Sequence, residues 1–124
     1  MNNKNKYVFI VDNSMISANR IFNALSHITS ILKVDYAASG KEALQKINNN
    51  PPNAVLLDIK LPDMNGVDML QQIKQIYPNM VVIILTDYPT SHSFKISKAL
   101  GVHGYYNKAN ELDTAIKQLQ KLTK

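Results

Sequence analysis

The chain has 124 residues, 45% of them hydrophobic and 19% charged, with no cysteine and a formal net charge of +5. Such a length makes one domain, residues 1–124, able to bury roughly two thirds of its unfolded surface, and the missing cysteines exclude thiol catalysis, zinc ribbons and disulfide frameworks. The positive charge is spread singly, from Lys4 and Lys6 to Lys117, Lys121 and Lys124, without an arginine cluster, zinc finger or aromatic RNA-binding motif, so direct nucleic-acid binding is not expected.

Tyr7 to Val11 reads as a buried strand that stops at Asp12. Five apolar residues are too few for a signal peptide or a membrane span, so a soluble cytoplasmic protein is expected. Asn13, Ser14 and Ser17 offer caps for a helix with Ile21, Phe22, Leu25 and Ile28 on one side. Lys33 to Ala37 makes a second strand. Ser39 and Glu42 have the spacing of a capping box and open a helix through Ala43, Leu44 and Ile47.

Ala54 to Leu57 is wholly apolar, as a parallel strand covered on both faces should be, and it ends at Asp58. The loop through Pro62, Asp63, Asn65 and Gly66 leads into an amphipathic run from Val67 to Tyr77. Met80 to Leu85 is a second apolar strand, followed by Thr86 and Asp87. A weakly amphipathic helix with Phe94, Ile96, Ala99 and Leu100 comes next, stopped by Gly101. Gly104 to Asn107 is the fifth strand, with Lys108 just after it. Leu112, Ala115, Ile116, Leu119 and Leu122 form the clearest helical stripe. His27, His92 and His103 lack metal-ligand spacing and are expected on the surface or in loops.

Five strands alternating with five helices imply an α/β fold, a doubly wound parallel sheet of flavodoxin-like order 2-1-3-4-5. Strands one and three are then neighbours, about 4.8 Å apart, and flank the topological switch where such sheets bind ligands. Asp12 and Asn13, Asp58, Thr86 and Lys108 would meet at that crevice. Two carboxylates and a backbone carbonyl suit Mg²⁺, while a hydroxyl and an ammonium suit a phosphoryl group. The chemistry implied is phosphoryl transfer onto Asp58.

VDNS at Asp12, LLDIKLPDMNG around Asp58, ILT at Thr86 and GVHGYYNK ending at Lys108 together resemble the receiver domain of bacterial two-component response regulators, over essentially the whole chain. The resemblance implies Asp58 as phosphoacceptor, Asp12 in the acidic metal pocket and the carbonyl of Lys60 as a Mg²⁺ ligand. It further implies Thr86 as switch hydroxyl, Tyr105 as switch aromatic and Lys108 as the phosphoryl contact. The donor would be a sensor histidine kinase or a phosphotransfer protein. Output would come from a protein target or self-association on the face of helix 4, strand 5 and helix 5, and the chain would be a switch that assists its own phosphorylation rather than an enzyme. Three positions depart from the pattern. Asn13 stands where a second acid normally ligates Mg²⁺, which implies weak binding. Asp87 follows the switch threonine in place of a small residue, where it could repel a phosphoryl group or help hold the cation. Ala109 follows the lysine in place of proline, so a cis bond is not expected there. Two other readings stand beside this one: a pseudo-receiver acting as a constitutive binding module, and a flavodoxin-type cofactor binder, against which the missing phosphate-cradling first loop argues.

Overall fold

The computed structural model describes residues 6–123, leaving Lys4 and Lys124 outside. Strands β1 (Lys6–Val11), β2 (Ile31–Ala37), β3 (Ala54–Leu57), β4 (Val81–Thr86) and β5 (Gly104–Asn107) alternate with helices α1 (Met15–Leu25), α2 (Gly40–Asn49), α3 (Gly66–Ile76), α4 (Ser91–Ala99) and α5 (Leu112–Leu122). All strand pairs are parallel and the order is β2-β1-β3-β4-β5, the flavodoxin-like arrangement expected from the alternation. None of the described helices is long and apolar enough to cross a membrane.

Alternating side chains of the central strands build two cores. Phe9, Val11, Val55, Leu57, Val82 and Ile84 face α2 and α3. Val8, Ile10, Ala54, Leu56, Ile83 and Leu85 face α1 and α5. Every residue of β3 is buried, and hiding Val55, Leu56 and Leu57 is worth about 1.5–3 kcal/mol each. A strand of only four residues is thereby seated firmly enough to aim the aspartate that follows it.

The caps follow the expected chemistry, with adjustments. Ser14 caps α1 by accepting from the Ser17 N–H, and Ser39 caps α2 by accepting from that of Glu42. The Glu42 carboxylate reaches back to the Ala38 N–H at 3.3 Å rather than to Ser39, so the box is displaced by one residue. Gly101 ends α4 with φ of 89°, a conformation open to glycine. Phe22, expected on the buried face of α1, is 48% exposed, because Ala18, Ile21 and Leu25 already fill that side. Ile28 is buried, but beyond the end of the helix. Leu122 is likewise half exposed at the last turn of α5.

Helix α4 is the least anchored of the five helices. Its Phe94 and Ile96 are exposed and its one buried residue is Ser97, whose hydroxyl is the only buried side-chain polar atom among the described residues without a partner. An unsatisfied buried hydroxyl costs about 1–3 kcal/mol, so α4 is held with little to spare.

Candidate functional site

The two acids are brought together by strand register. Val11 pairs with Leu57, and the ladder runs one step further because the Asp58 N–H donates to the Val11 carbonyl at 2.9 Å. Asp12 and Asp58 thus leave the sheet side by side, and both are buried. Lys108 arrives from the far edge, its N–H donating to the Thr86 carbonyl at 2.9 Å. Its buried ammonium donates to Asp12 Oδ2 and to Asp58 Oδ2, each at 2.8 Å. Asp87 Oδ2 stands 3.9 Å from the same nitrogen but is half exposed, so water screens that attraction.

Both oxygens of Asp12 already have partners. Its Oδ1 accepts from the Ser14 N–H at 2.9 Å, and its Oδ2 also accepts from the Ser17 hydroxyl at 2.5 Å. Asp58 keeps looser company, with only a 3.4 Å bond from the Lys60 N–H to Oδ1 besides the lysine. Burial raises the Asp58 carboxyl above its ordinary value; the hydrogen bond and charge of Lys108 pull it back only in part, and the negative charge of Asp12 adds to the rise. Burial alone would lower the Lys108 ammonium, but its bonds to Asp12 and Asp58 outweigh that and raise it.

A carboxyl whose folded value lies above its unfolded value costs stability once pH exceeds both, and the cost vanishes below the unfolded value of 3.8. Asp58→Asn is therefore expected to stabilise the fold at pH 7 by about 1 kcal/mol, roughly 4 °C in Tm, with the gain shrinking as pH falls through the carboxylate range. Thermal unfolding at pH 7 and pH 4 checks both the sign and the trend.

Around this centre, the Thr86 hydroxyl is buried and accepts from the Tyr88 N–H at 3.2 Å. Tyr105 is half-buried, and its phenol oxygen accepts from the Thr90 N–H at 3.2 Å and pairs with the Ser93 hydroxyl. Its ring meets Phe94 edge to face at 5.4 Å. Tyr105 is thus tied to the first turn of the loosely held α4. Tyr105 and Tyr106 divide between the two faces of the sheet, and both are half-buried. At the mouth, the Lys60 ammonium lies 4.4 Å over the Tyr88 ring, so these two flanking residues touch.

Asn13 is exposed and lines an open cavity of about 480 Å³ with Lys60, Pro62 and Asn65. The donors at hand, the carboxylates of Asp12 and Asp58, the Asn13 amide oxygen and the Lys60 carbonyl, are all oxygen and fit a hard divalent cation whose shell water completes. Among the described residues no three acidic or histidine side chains converge where they could hold an ion. Asp87 is directed to Lys108 instead of completing such a group.

Several residues that matter here carry no motif of their own. Ser17 clamps Asp12 from one turn into α1. Asp63 caps α2 across a loop, accepting from the Gly40 and Lys41 N–H groups at 2.9 Å each, and those bonds, Lys41 first, hold its carboxyl below the usual range. Arg20 donates to the Lys108 carbonyl at 3.0 Å. His103, expected as a plain loop residue, is half-buried before β5 and its Nδ1 accepts from the Val82 N–H at 3.2 Å. At Lys108–Ala109 the peptide is trans, as expected without proline, and the Ala109 N–H donates to Asn107 Oδ1 at 2.9 Å.

Residues 8–120 match the response regulator receiver domain family. The sporulation initiation phosphotransferase F of Bacillus subtilis is 34% identical over 112 residues, which cover 88% of this chain and 86% of that protein. The response regulator protein VraR of Staphylococcus saprophyticus is 29% identical over 116 residues, covering 94% of this chain and 55% of its own length. Among solved structures, a CheY-like receiver domain protein from Methanospirillum hungatei superposes with a TM-score of 0.80 at 29% identity, over 94% of this chain and 95% of that one. With the family matched over nearly the full length and the sheet order in agreement, the chain belongs to the response regulator receiver domains of two-component systems.

Proposed function

We propose that Asp58 accepts a phosphoryl group from a sensor histidine kinase or phosphotransfer protein and that residues 1–124 act as one cytoplasmic receiver unit. The observation that carries this reading is the pair of 2.8 Å bonds from the buried Lys108 ammonium to Asp58 and Asp12. Asp58 Oδ1 faces less competition than either oxygen of Asp12, which makes it the carboxylate free to attack phosphorus. On attack, the carboxylate oxygen forms the new bond to phosphorus while the donor's bond to phosphorus breaks and the donor leaves with its electron pair. Lys108 and the Thr86 hydroxyl are the groups that can meet the transferred oxygens. Asp12, Asp58, Asn13 and the Lys60 carbonyl would hold Mg²⁺, which supplies charge neutralisation at the phosphoryl oxygens when bound.

Intact-mass measurement after incubation with acetyl phosphate and Mg²⁺ tests the assignment. Wild type should gain one phosphoryl mass and Asp58→Asn none. Equal gain by both, or by neither, would sink it.

The resulting switch would act on the face of α4, β5 and α5. Turning the Thr86 hydroxyl to a phosphoryl group would disturb its bond from Tyr88, and through the loop to Thr90 the Tyr105 phenol that α4 holds. A downstream protein or a second copy of the chain would read that change.

Position 13 favours the pseudo-receiver as the second reading, since a neutral amide replaces a charge at the metal. A change at a metal site of this kind costs on the order of 10-fold or more in affinity, about 1.4 kcal/mol. Asn13→Asp is expected to tighten Mg²⁺ binding by at least that order and to speed phosphorylation at limiting Mg²⁺. Calorimetric titration decides, because equal affinities would mean that position 13 never meets the metal.

A further inference from the structure

The turn that carries Lys108 is held from several directions, and one hold comes from another layer of the molecule. The Lys108 N–H extends the β4–β5 ladder by donating to Thr86. Asn107 Oδ1 accepts from the Ala109 N–H, closing a side-chain turn beneath the lysine. The Glu111 carboxylate accepts from the Asn107 N–H at 2.8 Å, which explains why Glu111, the residue before α5, gives that helix no side-chain cap. The Lys108 carbonyl is taken by Arg20 Nη2, from α1, 88 positions away in sequence.

These ties matter because β5 is poorly seated. All four of its residues are only half-buried, so packing does not fix the strand's end. Lysine is a long flexible arm, and keeping its ammonium on two carboxylates at 2.8 Å requires its backbone to stay within roughly 0.5 Å of place. Arginine is well matched to such a hold, because its guanidinium is permanently charged and planar and its bond to a carbonyl is charge-assisted. The same helix also grips the other side of the ion pair, since the Ser14 N–H and the Ser17 hydroxyl hold Asp12.

We propose that Arg20 is a positioning residue for phosphoryl transfer to Asp58: by holding the Lys108 carbonyl it keeps the ammonium aimed, and it makes α1 the element that sets Asp12 and Lys108 relative to each other. The inference rests on the reading of Asp58 as phosphoacceptor.

Initial phosphorylation rates with acetyl phosphate and Mg²⁺ test it, across a range of donor concentrations, in wild type, Arg20→Met and Arg20→Lys. Arg20→Met should lower the saturated rate by roughly three- to tenfold, the effect of losing one charge-assisted bond, and leave the half-saturating donor concentration unchanged. Arg20→Lys, which can still donate to the carbonyl, should recover most of the rate. In a Lys108→Ala background, which leaves Arg20 its backbone target but removes the ammonium, Arg20→Met should add no further loss. An unchanged saturated rate overturns the proposal, as does a fall confined to half-saturation, which would make Arg20 a donor contact. So does an equal further loss without the ammonium. If wild type gains no phosphoryl mass, the phosphoacceptor reading fails and takes this one with it; if wild type gains it and Arg20→Met keeps pace, only the role of Arg20 fails.

Discussion

Lys108→Met is expected to cost about 3 kcal/mol of stability at pH 7, roughly 12 °C in Tm, even though it replaces a buried charge with an apolar side chain of similar length. The reason lies in what stays behind. Asp12 and Asp58 are both buried and both accept from this one ammonium, so its removal leaves two like charges facing each other away from water. In wild type the raised Lys108 value means that the lysine's contribution is fully present below pH 10.5 and is lost only as pH climbs through the higher folded value. In the variant the pH trend moves to the acids. Asp58, already raised by burial, would be raised further, so stability should recover as pH falls and that carboxyl takes up a proton. Denaturant unfolding of wild type and variant at pH 7 and pH 5 reads both effects. Adding Asp58→Asn should restore part of the loss, because it removes one of the stranded charges. A variant as stable as wild type at pH 7 would show that water reaches the acids and that the pocket is not dry.

Gly66→Ala should be the other large loss, again about 3 kcal/mol, from a single added methyl. The first turn of α3 lies directly against the end of β3, where the Gly66 N–H donates to the Ile59 carbonyl at 2.7 Å. A Cβ there would stand 2.2 Å from the Asp58 carbonyl oxygen and 2.7 Å from Ile59 Cα, and backbone cannot swing aside as a side chain can. The helix start would have to back away from the strand and carry the loop after Asp58 with it, so phosphoryl uptake should fall along with Tm. Gly40→Ala is the control. The atoms nearest its Cβ, Sδ, Cγ and Cε of Met64, belong to a side chain that can take another rotamer, and alanine favours the α2 helix it would join, so a loss well below that at Gly66, about 1 kcal/mol, is expected. Thermal unfolding of the two variants separates them. Similar losses would mean that the close approach at Gly66 is relieved elsewhere.

Much of the fold was legible because it depends on short-range pattern. Residues 54–57 are apolar without alternation and stop at Asp58, which marks a doubly covered strand with an acid at its carboxyl end. The serines at 14 and 39 announce helices through their own hydroxyls. Where the pattern misled, packing decided: Phe22 has the spacing of a core residue, but a helix covering one edge of a sheet has room for a narrower stripe, and Ala18, Ile21 and Leu25 fill it. In α4, the apolar Phe94 and Ile96 lie outward while Ser97 is buried, because the helix meets the fold along a short line centred on that one residue.

Residue pattern alone carried the class, the expected strand order and the strand ends at which polar residues could gather, because alternation, strand length and the handedness of crossovers are local or nearly local properties. It also named Asp12, Asn13, Asp58, Lys60, Thr86, Asp87, Tyr105 and Lys108 as the residues to watch. How they are partnered was settled by contacts across the fold. That Lys108 bonds Asp12 and Asp58 at once, that Asp87 turns to the lysine, that Asp63 caps α2 and that Arg20 holds Lys108 are contacts between residues 21 to 96 positions apart. Each needs a few tenths of an ångström of placement that residue type cannot carry. The sheet's register and the packing of the helices on its two faces supply it, since buried side chains leave the strand ends little room to move.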